Sequence, residues 1–370
     1  MAERALVAFG RYLRMLRDRK GLSLEEAVTL TRVYPSPLSK GYLSRLENGA
    51  TRAGFEKIVA LAKAYGVPVD VLAERLWLDL ELEKNDPPET EGMTFKRLTA
   101  SGSDRAHAGW RWKSYAYLRD ATALASSAPV NPGYRDQSEQ VAIAIQNCAT
   151  AATKLGALNF ALWEYKYVES LGTVSTKNQV SLLSCISTLH RRRGELQTAR
   201  LIADRAIEAG RRPEGATFLG YAYSTRAVIA HLEGEFSACL EIQKLALAAF
   251  RAAGREAESA SAHHAIGQMF FELGRTGAGR RAMAAAERIA SKLDLHDVRV
   301  RIRLSLGEFD FREQKFESAI GYWQDAARLA RESRDRTLLF MAEHRLMKQA
   351  IAEGRRNYAQ SLARHLQRLT

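Results

Sequence analysis

From residue 137 onward the chain repeats itself every 40 residues, and this period constrains the fold more than any other feature of the sequence. The landmark is a turn residue, glycine in all copies but one, then a residue two positions on that is usually large and a small residue three further. The copies are Gly194/Leu196/Ala199, Gly234/Phe236/Cys239, Gly274/Thr276/Gly279, Gln314/Phe316/Ala319 and Gly354/Arg356/Ala359. An earlier one, Gly156/Leu158/Ala161, lies 38 residues upstream of the first of these. Each copy reads as two helices joined by a short turn, with small side chains where the helices cross. The composition agrees: Ala, Leu, Arg and Glu are abundant and only 8 of the 370 residues are proline, which favours helix. One such hairpin cannot bury its apolar face alone, so neighbouring copies must stack.

The order Gly, aromatic, Ala, Ala is similar to that of tetratricopeptide repeats, although the period exceeds that family's 34 residues and the third and sixth copies are degenerate. The implied fold class is all-α: a five-helix N-terminal domain followed by an α-solenoid of about six tetratricopeptide-like hairpins. Projecting the repeat pattern onto the first helix of each hairpin gives an expected inner face. Its first half holds Gln146, Asn147, Thr150, Ser184, Thr188, Arg191, Tyr221 and Ser224. Its second half holds His231, His264, Gln268, Phe271, Arg301 and Glu308. Amides and hydroxyls at such positions can bond the backbone of an extended peptide, while Tyr221 and Phe271 supply apolar pockets.

The N-terminal stretch Gly21 to Gly49 has a different design. Ser23 and Glu26 form an S-x-x-E capping box that starts a short helix, and Pro35 and Pro37 exclude its continuation. Ser39 can cap a second helix from Lys40 to Glu47, which Asn48-Gly49 would end in the left-handed conformation. Leu43 and Leu46 point one way along that helix; Lys40, Gly41, Ser44 and Arg45 point the other.

The segment Ser39-Lys40-Gly41-Tyr42-Leu43-Ser44-Arg45-Leu46-Glu47-Asn48-Gly49 resembles the recognition helix of Cro/C1-type (XRE) helix-turn-helix domains, and the resemblance covers about residues 5 to 76. Phe9, Leu13 and Leu16 would form the inner face of the first helix, with Arg11, Arg14 and Arg17 on its polar side. Phe55, Ile58, Leu61 and Ala62 would belong to the fourth. The resemblance implies base reading by Lys40, Gly41, Ser44 and Arg45, and phosphate contacts by Ser23, Ser39, Tyr42 and Arg52. Lys40 and Arg45 can donate to guanine O6 and N7, which predicts a G in each half-site. Glu47 is expected to brace the domain. Two departures stand out: the turn through Arg32-Val33-Tyr34-Pro35-Ser36-Pro37-Leu38 is about five residues longer than the family norm, and Leu24 stands where the family often has a phosphate-binding Gln.

Three domains are expected: 1–76 as the DNA-binding head, 77–136 as a linker carrying an aromatic, basic helix, and 137–370 as the repeats. Within the linker, Asn85 to Gly92 and Leu98 to Arg105 read as loose segments. The helix with Trp110, Trp112, Tyr115 and Tyr117 reads as docking the linker onto the repeats, the alternative being base stacking. The net charge of +13 is unevenly placed, with 13 Lys/Arg against 8 Asp/Glu in residues 1–76, as suits a phosphate backbone. No metal-ligand spacing, phosphate loop or nucleophile–base arrangement is present, so neither an enzyme nor a bound cofactor or metal is expected. Cys148, Cys185 and Cys239 read as buried thiols. No apolar run approaches a membrane span and no signal peptide is apparent, which places the expected protein in the cytoplasm, away from membranes.

A Cro/C1-type head joined to a repeat solenoid resembles the RRNPP-type peptide-responsive transcription regulators of quorum sensing. That resemblance implies a homodimer on inverted-repeat double-stranded DNA, half-sites about one turn apart, and a short signalling peptide as ligand. The rival readings are a scaffold whose solenoid binds a partner protein, with the head as a tether, and a ligand-free repressor.

Overall fold

The computed structural model describes residues 2–107, 110–333 and 335–369, and among them it contains 19 α-helices and no strand. The chain forms two compact units, one comprising residues 1–106 and 111–175 and the other chiefly 176–370.

The first unit opens with α1 (Ala2–Arg19), α2 (Leu24–Thr31), α3 (Lys40–Glu47), α4 (Phe55–Tyr65) and α5 (Val69–Lys84). These are the five expected helices of the head. The Ser23 hydroxyl accepts the Glu26 N–H while the Glu26 carboxylate accepts the Ser23 N–H, so the capping box is closed. Ser39 caps α3 through the Tyr42 N–H. Phe9, Leu13, Leu16, Ala27, Leu43, Leu46, Ile58 and Leu61 meet in one buried core. Two positions depart from expectation. Phe55 is 74% exposed at the first turn of α4, and Arg17 lies inside, not on the polar side of α1.

The stretch beyond residue 76 is helical where loose chain was expected. α6 (Phe95–His107) spans the segment Leu98 to Arg105, which the Gly and Ser there had suggested was open. Leu98 is buried among Phe95, Ala121 and Ala125, and this packing outweighs the weak helix propensity of its neighbours. α7 (Arg111–Leu124) buries Tyr115 and packs on α8 (Gln137–Leu155), which pairs with α9 (Leu158–Ser170). The aromatic helix thus docks on the first helix of the repeats. The boundary between compact units falls at residue 175 and not at 76 or 136, because the head shares its core with these helices: Tyr12, Leu78 and Leu82 cluster with Tyr115, Cys148 and Phe160.

The second unit is a stack of five helical hairpins. They are α10 (Thr176–Arg192) with α11 (Leu196–Gly210), α12 (Ala216–Leu232) with α13 (Phe236–Ala252), α14 (Glu256–Glu272) with α15 (Thr276–Lys292), α16 (His296–Arg312) with α17 (Phe316–Glu332), and α18 (Arg336–Ala352) with α19 (Arg356–Leu369). With α8/α9 in the first unit there are six, as the repeat spacing required. The anchor residues explain the period. Gly156, Gly194, Gly234, Gly274 and Gly354 all end a helix at positive φ, and Gln314 adopts φ 62° at the same place. The turn therefore demands a left-handed residue, and the one non-glycine accepts that strain. Ala161, Ala199 and Ala319 are fully buried where each second helix crosses the first.

Candidate DNA interface and ligand recess

The geometry of α3 is set from behind. Leu43, Leu46 and Glu47 are buried, leaving Lys40, Gly41 and Arg45 exposed and Ser44 half-buried on the outer side. Glu47 accepts two hydrogen bonds from Arg17, from Nε at 2.7 Å and from Nη2 at 3.0 Å, and Arg17 Nη1 reaches the Leu22 carbonyl at 2.7 Å. That fork fixes α3 to α1 and to the start of α2. It agrees with the bracing role expected of Glu47 and accounts for the burial of Arg17. Gly10 permits the close approach: a Cβ there would lie 2.4 Å from the Leu46 carbonyl oxygen and 2.6 Å from that of Glu47.

Of the expected phosphate contacts, Ser39, Tyr42 and Arg52 lie on or beside the same helix, and Ser23 caps α2. Ser23 and Ser39 each accept one backbone N–H and keep a hydroxyl proton to donate. Tyr42 is different: its hydroxyl donates to the Arg52 carbonyl at 2.7 Å, and Lys57 Nζ lies 3.7 Å above its ring. Tyr42 therefore positions the loop that carries the exposed Arg52. Lys40 is held in an exposed ion pair with Glu25.

Sequence reasoning missed the ionic network that binds the head to α9. Glu164 accepts from the Tyr12 hydroxyl at 2.8 Å and from Arg19 at 3.0 and 2.8 Å, all buried or nearly so. Glu74 accepts from Asn159 at 2.9 Å and from the Phe160 N–H at 2.8 Å. Arg75 pairs with the fully buried Asp79, which also receives Arg119. Burial pushes the Tyr12 hydroxyl well above its ordinary pKa, and the neighbouring Glu164 carboxylate adds to it, so Tyr12 remains a donor. A signal was available in Arg75 and Asp79, an i, i+4 pair on the same helix as the apolar Leu72, Leu78 and Leu82.

In the repeats, the expected inner-face residues divide into three groups. Gln146 and Ser184 are core residues instead of groove residues, Ser184 donating back to the Val180 carbonyl at 2.8 Å. Asn147, Thr150, Thr188, Arg191 and Ser224 are half-buried on their own helices. Thr150 lies 3.0 Å from the Tyr165 hydroxyl, and Tyr221 is engaged by Glu258 and by Arg255 at 3.2 Å. The third group converges. His231, His264, Gln268, Phe271, Arg301 and Glu308 line one recess of about 350 Å³ in the second unit.

Two helical stripes make up most of that recess, with His231 of α12 and Met341 and Arg345 of α18 completing it. His264, Gln268 and Phe271 follow i, i+4, i+7 on α14; Arg301, Ser305, Glu308 and Arg312 continue the same rhythm on α16. Ser305 joins them, 2.9 Å from His264 Nε2 and accepting from Gln268 at 3.2 Å. Burial, reinforced by the Arg301 charge, pushes the His264 imidazole down to about 3, so it is neutral at physiological pH. Phe271 stacks on Phe309 with centroids 3.9 Å apart. Gly279 makes room for this, since a Cβ there would lie 2.3 Å from the Phe271 ring. Around the mouth, Arg312 donates to both Glu272 oxygens at 2.9 and 3.1 Å and Arg345 donates to Glu308 at 3.3 Å. The recess thus offers an aromatic floor, a neutral polar cluster and charged groups already held in place. Cys148 and Cys239 are buried as expected, whereas Cys185 is only half-buried.

Residues 8–76 match the family described as "Helix-turn-helix domain". No curated protein matches the chain. Solved structures share its fold. A Rap protein complexed with Competence and Sporulation Factor is 12% identical with a TM-score of 0.58, over 95% of this chain and 98% of that one. The Rap conjugation gene regulator of the plasmid pLS20 in complex with the Phr* peptide is 12% identical with a TM-score of 0.53, over 98% and 96%. PlcR from Bacillus thuringiensis, in complex with the peptide PapR7 and DNA, is 12% identical with a TM-score of 0.49, over 80% and 99%. The chain carries a helix-turn-helix domain at residues 8–76, and its helical hairpins share the fold of these two Rap proteins. No helix among the described residues is long and apolar enough to cross a membrane.

Proposed function

We propose that the protein is a sequence-specific transcription regulator that binds double-stranded DNA as a homodimer on an inverted repeat, and that its repeats sense a short peptide. The observation that carries the DNA reading is the division of α3: Leu43, Leu46 and Glu47 are anchored inside while Lys40, Gly41 and Arg45 are exposed. One such helix reads only a few base pairs, so two heads on related half-sites are needed for a useful operator. Peptide sensing is supported by the recess on α14 and α16, whose volume suits one or two side chains, and by the Phr* peptide bound to a protein of the same fold. The mechanism is a population shift in which the ligand favours one arrangement of the two heads and only one arrangement fits the operator.

Selection of duplexes from a random pool by the purified protein tests the DNA reading and returns half-site symmetry and spacing together. A palindrome with G under Arg45 is the expected result; recovery of no enriched sequence refutes it. Ligand sensing is tested by adding peptides to the selected complex, with Gln268→Ala as the variant expected to lose the response while basal binding persists.

A further inference from the structure

The long turn between α2 and α3 is a built element. Thr31 is fully buried at its base, where its hydroxyl donates to the Val28 carbonyl at 2.7 Å and accepts the Leu38 N–H at 3.1 Å. Leu38 is buried and Tyr34 packs against the head core. Ser36 donates to Glu56 on α4. Held on three sides, the turn projects Arg32 and Val33 into solvent, Val33 being 80% exposed. Between this turn, α2 and the start of α3 lies a recess of about 490 Å³. Its floor is Val28, Pro37 and Leu38. One rim is the α2 stripe Glu25, Thr29, Arg32, at i, i+4, i+7, and the other is Ser39 and Lys40.

Two cations therefore flank a cleft that shares Lys40 with the exposed face of α3. Arg32 makes no ion pair among the described residues, and the Lys40–Glu25 pair spans the opening with both side chains more than half exposed. An exposed pair of that kind is weak in water, so a competing anion displaces it readily.

We propose that this cleft seats a DNA backbone phosphate next to the bases read by α3, with Arg32 as its principal ligand, Lys40 shared between phosphate and Glu25, and Glu25 opposing occupancy. This rests on the DNA-binding reading above and extends it to an element that Cro/C1-type heads of ordinary turn length lack. Arg32 positions; it does not read sequence.

The test uses the full chain and a duplex bearing the sequence recovered by selection. Binding is measured across salt concentrations, with phosphate-ethylation interference on each strand. Arg32→Ala, at an exposed site that leaves the fold intact, is expected to lower the salt slope by about 0.9 per protomer. It should also remove one ethylation-sensitive phosphate per half-site and leave base preference unchanged. Glu25→Gln is expected to tighten binding two- to fivefold. An unchanged slope and ethylation pattern in Arg32→Ala, with wild type still bound and Arg45→Ala still losing base preference, overturns this inference alone. A wild-type chain that binds no duplex overturns both it and the reading on which it rests.

Discussion

Glu164→Gln is the sharpest perturbation of the head's attachment. The carboxylate has three short partners, the Tyr12 hydroxyl at 2.8 Å and two Arg19 nitrogens at 3.0 and 2.8 Å, and its side chain is 3% exposed. A glutamine keeps the shape but offers one acceptor, and its amide turns a donor toward the Arg19 guanidinium. Hydrogen bonds to charged groups contribute about 1.5–3 kcal/mol each, and removing one partner of a buried pair costs about 3–5 kcal/mol. Arg19 retains its contact with the Tyr167 ring at 3.8 Å, which offsets part of the loss, so about 3 kcal/mol is expected. Urea unfolding followed by tryptophan fluorescence reads this, because Trp77, Trp112 and Trp163 lie in the first unit and Trp110 and Trp323 in the second. The first transition should move down by about 1–2 M urea. The double substitution Arg19→Met with Glu164→Leu should recover much of the loss, since a buried pair replaced as a whole by apolar groups is often neutral. A single-variant loss below about 1 kcal/mol, or a double variant equal to the sum of the singles, refutes the argument that this network holds the head.

Arg45→Ala should cost about 1–3 kcal/mol on the selected operator and relax preference at one base, measured by gel shift against all four substitutions. Gly10→Ala places a methyl against the Leu46 and Glu47 carbonyls, which the backbone cannot yield cheaply; a lower melting temperature and weaker DNA binding are expected together. Gly279→Ala gains about 1 kcal/mol of helix propensity but drives a methyl into the Phe271 ring, so net destabilisation and a reshaped recess are expected, with an unchanged melting temperature counting against the close contact. Folded His264 is pushed below its ordinary pKa, so the unfolded chain binds the extra proton: its contribution is complete above about pH 6.5 and is lost as pH falls toward about 3. Across pH 4.5–6, His264→Gln should therefore show a shallower loss of stability than wild type, by up to about 1.4 kcal/mol per pH unit; parallel curves would place the imidazole in water.

The head and the hairpins were legible in the sequence because both rest on local rules. A capping box, two prolines and a left-handed glycine bound α2 and α3 wherever the rest of the chain lies, and the turn glycines mark each hairpin independently. What escaped was decided by distant partners. Arg17 occupies a polar position by helical count, yet Glu47 lies 30 residues away to receive it. Leu98 to Arg105 has the composition of open chain, yet Phe95 and Leu98 find Ala121 and Ala125 to pack on. Phe55 counts as apolar, but at the first turn of α4 it precedes the buried stripe that begins at Ile58. For the recess, the period found six residues on the right faces and missed Ser305, Phe309 and Arg345, because nothing local says how far neighbouring hairpins close upon each other.

The recess lies where the repeat pattern is weakest, and the two facts have one cause. The other copies place Ala or, at position 239, Cys at the crossing and a large residue at the start of the second helix. In the copy anchored at Gly274, Thr276 and Gly279 take those places. Removing even the methyl at the crossing lets Phe271 lie over α15 and stack on Phe309 of the next hairpin. That stack carries the aromatic floor across two repeats, so a ligand seated there touches both hairpins at once and changes the free energy of their packing. The copies on either side keep a side chain at that crossing, Cys239 and Ala319, and both are buried there.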